Sequence, residues 1–205
     1  MKKFVLFLLV IILSSNLYAG ITDSLSIGFG GGYTNYNTFR GEAYLKSDIK
    51  LGRKLNSEIK VGVNNHSYQL TFDKVSDLKA SSIGIFGDFA VYPFGNGLFT
   101  GIRWELINLN WLSQESKNKI RNERSYEPIS LYAGTNLLLQ IGYKFKISKN
   151  FGIKIYGQSG LQNFSISNGS FSSGNYVTNP TGEPIIEDNY KFIYNVNLSI
   201  ELKIK

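Results

Sequence analysis

The chain has 205 residues, of which 42% are hydrophobic and 18% charged, with no cysteine, one histidine and a formal net charge of +7. The absence of cysteine excludes disulfides, thiolate metal sites and a lipid-modified cysteine, and a single histidine makes a transition-metal site improbable. The basic residues are scattered instead of grouped with stacking aromatics, which argues against nucleic-acid binding and favours attraction to the phosphates of lipid head groups.

The N-terminus has the pattern of a secretory signal peptide. Two lysines precede an apolar run at residues 4–13, and a small-residue cleavage signal ends at Ala19. The alternative is a retained membrane anchor, but a spanning helix needs about 20 apolar residues, twice the length of this run. We therefore predict a signal peptide at residues 1–19. Its removal leaves a single exported domain at residues 20–205, with a net charge of +5 and too short for a second substantial domain.

Eight segments then follow in which apolar and polar residues alternate with the period of a β-strand. Their apolar positions are, in chain order, Leu25, Ile27, Phe29 and Tyr33; Ala43, Leu45, Ile49 and Leu51; Ile59, Val61 and Val63; Ile83, Ile85, Phe89 and Val91; Leu98, Ile102, Trp104 and Leu106; Leu131, Leu137, Leu139, Ile141, Tyr143 and Phe145, within residues 129–147; Phe151, Ile153, Ile155 and Leu161; and Phe192, Tyr194, Val196, Leu198, Ile200, Leu202 and Ile204. Phe86 and Ile193 are large apolar residues that interrupt the polar side of the fourth and eighth segments. No stretch of comparable quality has a helical period.

The opposite, polar positions carry charges of both signs. The basic ones are Arg40, Lys46, Lys50, Lys60, Arg103, Lys144, Lys146, Lys154 and Lys203, and the acidic ones are Glu42, Asp48, Glu58, Asp88, Glu105 and Glu201. If this side faces a narrow lumen, the charges must pair or hydrogen-bond there, because isolated buried charges are costly. We predict a structural ion-pair core; an ion-conducting path is the alternative, but eight strands leave too little free cross-section for one. Glycines 28 and 30–32 are predicted either to give packed inward side chains room or to permit strong bending of the strand.

The links between segments alternate in length. Short links follow the second, fourth and sixth segments, at residues 52–57, 93–97 and 148–150, and long links follow the third, fifth and seventh, at residues 67–81, 108–128 and 163–189. Transmembrane barrels have short periplasmic turns and longer outer loops. The long links are therefore predicted to be outer loops, with both termini periplasmic. The basic stretch within residues 117–124 is predicted to be a solvated loop, and the last long link a mobile one.

Periodicity leaves two orientations open, because a soluble barrel or sandwich would bury the apolar side and a transmembrane barrel would turn it toward lipid. Side chains just fill an eight-stranded lumen, and here the polar side, rich in glycine and serine, is the less bulky one. Strands of 9 to 11 residues also match the apolar band of membrane barrels. We predict an all-β fold, an eight-stranded antiparallel up-and-down transmembrane β-barrel at residues 20–205.

The chain resembles the small eight-stranded outer-membrane β-barrel proteins of the OmpX type and the transmembrane domain of OmpA. The resemblance covers nearly all of residues 21–205 in strand number, alternation and loop asymmetry, and residues 92–97, Tyr-Pro-Phe-Gly-Asn-Gly, look like a turn common in outer-membrane β-barrel domains. In that family the last strand commonly ends in an aromatic assembly signal, whereas this chain ends in Ile204 and Lys205. The resemblance implies a monomer in the bacterial outer membrane that contacts lipids and lipopolysaccharide. It implies a structural role, or binding of an extracellular protein or surface ligand through the loops.

Two alternatives remain, a lipid A-modifying enzyme and a soluble periplasmic lipocalin-like carrier. The enzyme would use His66, which lies beside Ser67, with Asp73 or Asp77 to orient it. This set has no diagnostic spacing, and a hydrogen bond at the barrel rim is the commoner explanation of a histidine beside a serine. We therefore predict no enzyme and no catalytic, cofactor-binding or metal-ligating residues.

Aromatic residues near the segment ends are candidates for the interfacial girdles of a membrane barrel. These are Tyr33, Phe94, Phe99, Trp111, Phe151 and Tyr190.

Overall fold

The computed structural model describes residues 24–35, 38–51, 55–72, 74–95, 97–124, 130–131, 134–167, 170–172, 175–177 and 186–204. In these residues the chain forms eleven strands and one helix. In chain order they are β1 (Leu25–Thr34), β2 (Phe39–Leu51), β3 (Leu55–Phe72), β4 (Val75–Tyr92), β5 (Leu98–Leu112), α1 (Gln114–Arg124), β6 (Ser130–Leu131), β7 (Gly134–Lys146), β8 (Phe151–Ser167), β9 (Ser170–Ser172), β10 (Asn175–Val177) and β11 (Ile186–Lys203).

Eight long strands close into a barrel. β1 to β5, β7, β8 and β11 each pair antiparallel with the next, and β11 also pairs with β1 from Ser26 opposite Lys203 to Thr34 opposite Asn195. Among the short strands, β6 adds to the far end of β8, and β9 pairs with β10. The predicted eight-stranded antiparallel up-and-down barrel is confirmed.

The polar positions face the lumen and the apolar positions face out. In β11, for example, Val196 and Leu198 are 64% and 53% exposed, whereas Glu201 is 3% exposed. Because successive side chains of a strand point to opposite faces, a strand whose apolar side chains face outward has its polar side chains in the lumen. The predicted orientation of the two faces is confirmed, and Phe86 and Ile193, the apolar residues noted on the polar side, are buried inside.

The barrel has two unlike ends. At one, called the turn end, β2 and β3, β4 and β5, and β7 and β8 are joined by short links, and β1 begins and β11 ends there. Gly95 and Gly97 in the second link have φ angles of 68° and 90°, which glycine adopts without steric cost. The opposite end is called the loop end.

At the loop end the strands extend further than predicted. Residues 67–81 were expected to form a loop, but β3 and β4 continue as a paired hairpin until Phe72 lies opposite Val75. Similarly, β8 and β11 remain paired as far as Ser167 and Ile186, inside the predicted loop 163–189. The predicted segment 129–147 is divided into β6 and β7, because β6 pairs with β8 at Ser167 and Ile166. Cross-strand pairing lengthens these strands where the local alternation is weak.

Helix α1 replaces the solvated loop predicted for residues 117–124. Ser113 caps it, since its Oγ accepts a hydrogen bond from the Ser116 backbone N–H at 3.1 Å. Ser116 Oγ accepts from the Lys79 N–H at 2.6 Å and donates to the Lys79 carbonyl at 3.1 Å, which ties the helix to β4. Ile120 is fully buried against an apolar cluster on the hairpin and β5, namely Phe72, Val75, Leu78, Ala80 and Leu112. In the described ranges no helix is long and apolar enough to cross a bilayer.

Substitution Ile120→Ala is expected to release α1 from the β3–β4 hairpin without opening the barrel. Removing this buried side chain costs about 2–5 kcal/mol, which is enough to unfold a short helix held by one apolar contact cluster. Hydrogen exchange should therefore rise across α1 and stay slow in β7 and β8. The exposed neighbour Asn118→Ala serves as control. Equal exchange in α1 for both variants would contradict this packing.

Candidate functional site

The lumen contains a cluster of two arginines and three carboxylates, called the arginine cluster. Arg103 donates to both carboxylate oxygens of Asp88, from Nε at 2.5 Å and from Nη2 at 2.8 Å, and from Nη1 to Glu42 at 2.6 Å. Arg40 donates to Glu105, which also accepts from Asn136 Nδ2 at 2.8 Å. The fork of a guanidinium suits such bidentate contacts. The arginine cluster therefore holds β2, β4, β5 and β7 together across the lumen.

Closer to the turn end lies a second cluster of three lysines and two glutamates, called the lysine cluster. Lys154 donates to Glu58 and lies 2.8 Å from Glu201. Lys46 donates to Glu201 at 3.0 Å. Lys60 Nζ lies 3.7 Å from Glu58 and 3.6 Å from Asp88, so it connects the two clusters. The network extends over β2, β3, β4, β5, β8 and β11.

The charges of the two clusters balance. Five cations and five anions are involved, and each residue is at most 8% exposed. Removing ions from water costs several kcal/mol each, and partners at this spacing offset that cost. The buried charges are therefore paired with one another across the lumen, as predicted for an ion-pair core.

Aromatic side chains complete this core. The Arg103 guanidinium carbon lies 3.9 Å from the centroid of the Phe86 ring, a cation–π contact. Tyr156 donates to Glu42 at 2.5 Å and Tyr92 to Glu58 at 2.6 Å. In the sequence Phe86 stands out only as an interruption of the polar side, and neither tyrosine was predicted to lie in the lumen. Tyr92 and Tyr156 alternate in step with the charged residues of β4 and β8, and this pattern indicates that both side chains face the lumen.

The glycines of β1 make room for these side chains. A Cβ at Gly28 would overlap the ring of Tyr44, and one at Gly30 would lie 2.7 Å from the Cβ of Ser199. Tyr44 uses that space to reach the lysine cluster, where its hydroxyl donates to Glu201 at 3.2 Å. The expectation that these glycines accommodate packed lumen side chains is confirmed.

Three lysines predicted to lie in the lumen are not enclosed by it. Lys50, Lys146 and Lys203 are exposed at the turn end. The alternation places these lysines on the inward side of their strands. They lie at the strand ends, however, where neighbouring strands no longer enclose that side. Lys144, at the edge of the lumen, lies 2.8 Å from Glu201.

Among the residues considered for the enzyme alternative, the backbone register separates Asp77 from His66. His66 lies in β3 opposite Arg40 and Ser82, but its side chain, like Asp73, falls outside the described residues. Asp77 is followed by Leu78, which pairs with Leu70 of β3. Leu70 is four residues, or about 13 Å, along β3 from His66. The Ser67 and Ser81 hydroxyls share a hydrogen bond of 3.2 Å.

The girdle candidates divide into two groups. Tyr33, Phe94 and Trp111 are exposed on the outer surface, and Phe151 is half-buried. Phe99 is fully buried in the lumen with Tyr92 and Tyr156, so its assignment to a girdle was wrong. It falls on the inward side of β5, whereas the girdle assignment used only its place near the strand end. The side chain of Tyr190 lies outside the described residues.

Within the part of the chain that the structure describes, no group of three His, Asp or Glu side chains is placed to hold a metal ion. Comparison of the chain with models of protein families and with curated proteins gives no match.

Proposed function

We propose that the protein is an integral outer-membrane β-barrel with a closed lumen, and that it has a structural or surface-interaction role through its loop end. The observation that carries this proposal is the outer surface of the barrel, which is apolar and uncharged around all eight strands. Resemblance to the small outer-membrane barrels and the predicted signal peptide at residues 1–19, which lies outside the described residues, support the same location.

The outer surface is unlike that of a water-soluble protein. Thirty large apolar side chains in the described residues are at least 37% exposed, and they are found on every barrel strand. No Asp, Glu, Lys or Arg occurs at the outward positions of residues 25–33, 39–51, 59–67, 81–91, 98–106, 135–145, 151–161 and 192–204. Soluble monomers rarely expose contiguous apolar patches beyond a few hundred Å². Lipid acyl chains are the natural neighbours of this surface.

The height of the apolar surface fits a bilayer. In β11 the outward apolar run extends from Phe192 to Leu202, about 33 Å along the strand and about 23 Å along a barrel axis inclined at 45°. Membrane barrels have an apolar band of about 25 Å.

The loop end projects beyond this band. Outward residues of β3 change from apolar Val63 to polar Asn65 and Gln69, and β4 has Lys79 beyond Ile83. This change of polarity is expected where strands leave lipid for water. The projecting hairpin with α1 on it offers a surface for an extracellular protein or surface ligand, since binding residues concentrate on segments presented by a rigid scaffold.

Fractionation tests the location. The mature chain is expected in the outer-membrane fraction, released by detergent and not by high salt, with a β-sheet circular dichroism spectrum. Recovery as a water-soluble periplasmic β-protein would contradict the proposal and favour the lipocalin-like carrier.

Single-channel recording tests the closed lumen. Because the arginine and lysine clusters fill the interior with paired side chains, the purified protein in planar bilayers is expected to show no stable conductance steps. Insertion is checked separately by protease protection. Regular steps from inserted protein would show a conducting path and overturn this part of the proposal.

A further inference from the structure

A cavity of about 200 Å³ opens at the turn end of the barrel. It lies between the first residues of β1, the last residues of β2 and β11, and the β7–β8 link. Five lysines line it, and they are Lys46, Lys144, Lys146, Lys149 and Lys203. Its acidic lining residues are Asp48 and Glu201, so the lining has a formal excess of three positive charges.

The two carboxylates are already engaged. Glu201 forms ion pairs with three lysines: it lies 2.8 Å from Lys144, 3.0 Å from Lys46 and 2.8 Å from Lys154. Asp48 lies 3.0 Å from Lys46 and accepts a hydrogen bond from Ser24 Oγ at 2.8 Å. Neither carboxylate is therefore free to neutralise the lysines at the rim.

The remaining lysines, Lys146, Lys149 and Lys203, are exposed and have no ion-pair partner in the described residues. They are held around one opening, because the Lys203 backbone N–H donates to the Asn150 carbonyl at 2.8 Å and fixes the link against β11. Ser148 Oγ accepts from the Phe151 N–H at 3.1 Å, which shapes the link itself. Like charges arranged in this way repel one another, and a bound anion would relieve the repulsion.

We propose that the turn-end cavity binds the phosphate dianion, either as a free phosphate or as the phosphomonoester of a lipid head group. Lysine ammonium groups bind phosphate as point charges from several directions. The volume equals the liquid share of about six or seven waters, and it is below the roughly 300 Å³ at which pockets for drug-sized ligands begin. This space is enough for a small hydrated anion. This inference goes beyond the proposed function and does not require it.

The test is titration calorimetry of the full mature chain in a non-ionic detergent at low salt. Wild type is expected to bind inorganic phosphate saturably, and binding is expected to weaken as salt screens the lysines. The triple variant Lys146→Gln, Lys149→Gln and Lys203→Gln is expected to bind about tenfold more weakly or worse, because the unpaired charges are lost. Since these side chains are exposed, the variant should fold, which circular dichroism verifies.

A matched control carries three substitutions at the loop end, Lys74→Gln, Lys117→Gln and Lys119→Gln, and is expected to keep the wild-type affinity for phosphate. A second titration uses micelles containing phosphatidate in place of free phosphate. Saturable binding in either titration, lost only in the turn-end variant, supports the site, and the titration that shows it identifies the source. No saturable binding by wild type in both titrations, or equal losses in the two triple variants, would overturn the proposal.

Discussion

Substitution Arg103→Met is expected to destabilise the barrel by about 3–5 kcal/mol. Arg103 is fully buried and donates to Asp88 and Glu42, so its removal leaves two carboxylates inside the lumen without their main cation. Methionine keeps much of the side-chain volume, so the loss reports charge and hydrogen bonding and not a large cavity. Urea unfolding in detergent micelles, followed by circular dichroism, measures the effect.

Two further variants show whether the effect arises from the lumen charges. Lys79→Met breaks an exposed ion pair with Glu115 and should cost at most about 1 kcal/mol. Adding Asp88→Asn to Arg103→Met removes one of the stranded carboxylates and should recover part of the loss. An Arg103→Met variant as stable as Lys79→Met would mean that the arginine cluster contributes little to the core.

The second large effect is expected from Leu139→Arg on the outer face of β7. Leu139 is 63% exposed and lies near the middle of its strand, opposite Ile102 and Ser159. If this surface contacts acyl chains at the bilayer midplane, arginine should cost about 2–4 kcal/mol. On a surface facing water, the same substitution should change stability by no more than about 0.5 kcal/mol. Unfolding measured in phospholipid vesicles separates these values.

Phe94→Arg is the matched control for that measurement. Phe94 is 70% exposed in the β4–β5 link at the turn end, outside the central band. Near a membrane interface arginine is tolerated at about 0–1 kcal/mol. A Leu139→Arg cost no greater than that of Phe94→Arg would contradict the location proposed for this barrel.

Alternation was sufficient to predict the barrel and its two faces. A side-chain period of two assigns each residue of a strand to one side, so Val196 and Glu201 were placed correctly without knowledge of any neighbour. The bulk of the apolar side then decided which face was outside. Even the inward aromatics Phe86 and Tyr156 lay on the side that the charged residues of their strands defined.

The ends of the elements could not be predicted in the same way. Helix α1 has a single apolar residue, Ile120, so no hydrophobic period marks it in the sequence, and it is held by Ile120 against the β3–β4 hairpin. That hairpin continues through residues 67–81 because each strand completes the hydrogen bonds of the other. Such support comes from pairing and packing, which no local pattern records.

Alternation alone is enough to turn Arg103 and Glu42 inward, but it does not make them partners. They are 61 residues apart and belong to β5 and β2, which are not neighbours in the sheet. Their contact depends on the stagger of strands around the closed barrel, which sets the height at which each side chain enters the lumen. Closure of the barrel therefore decided which charges pair there.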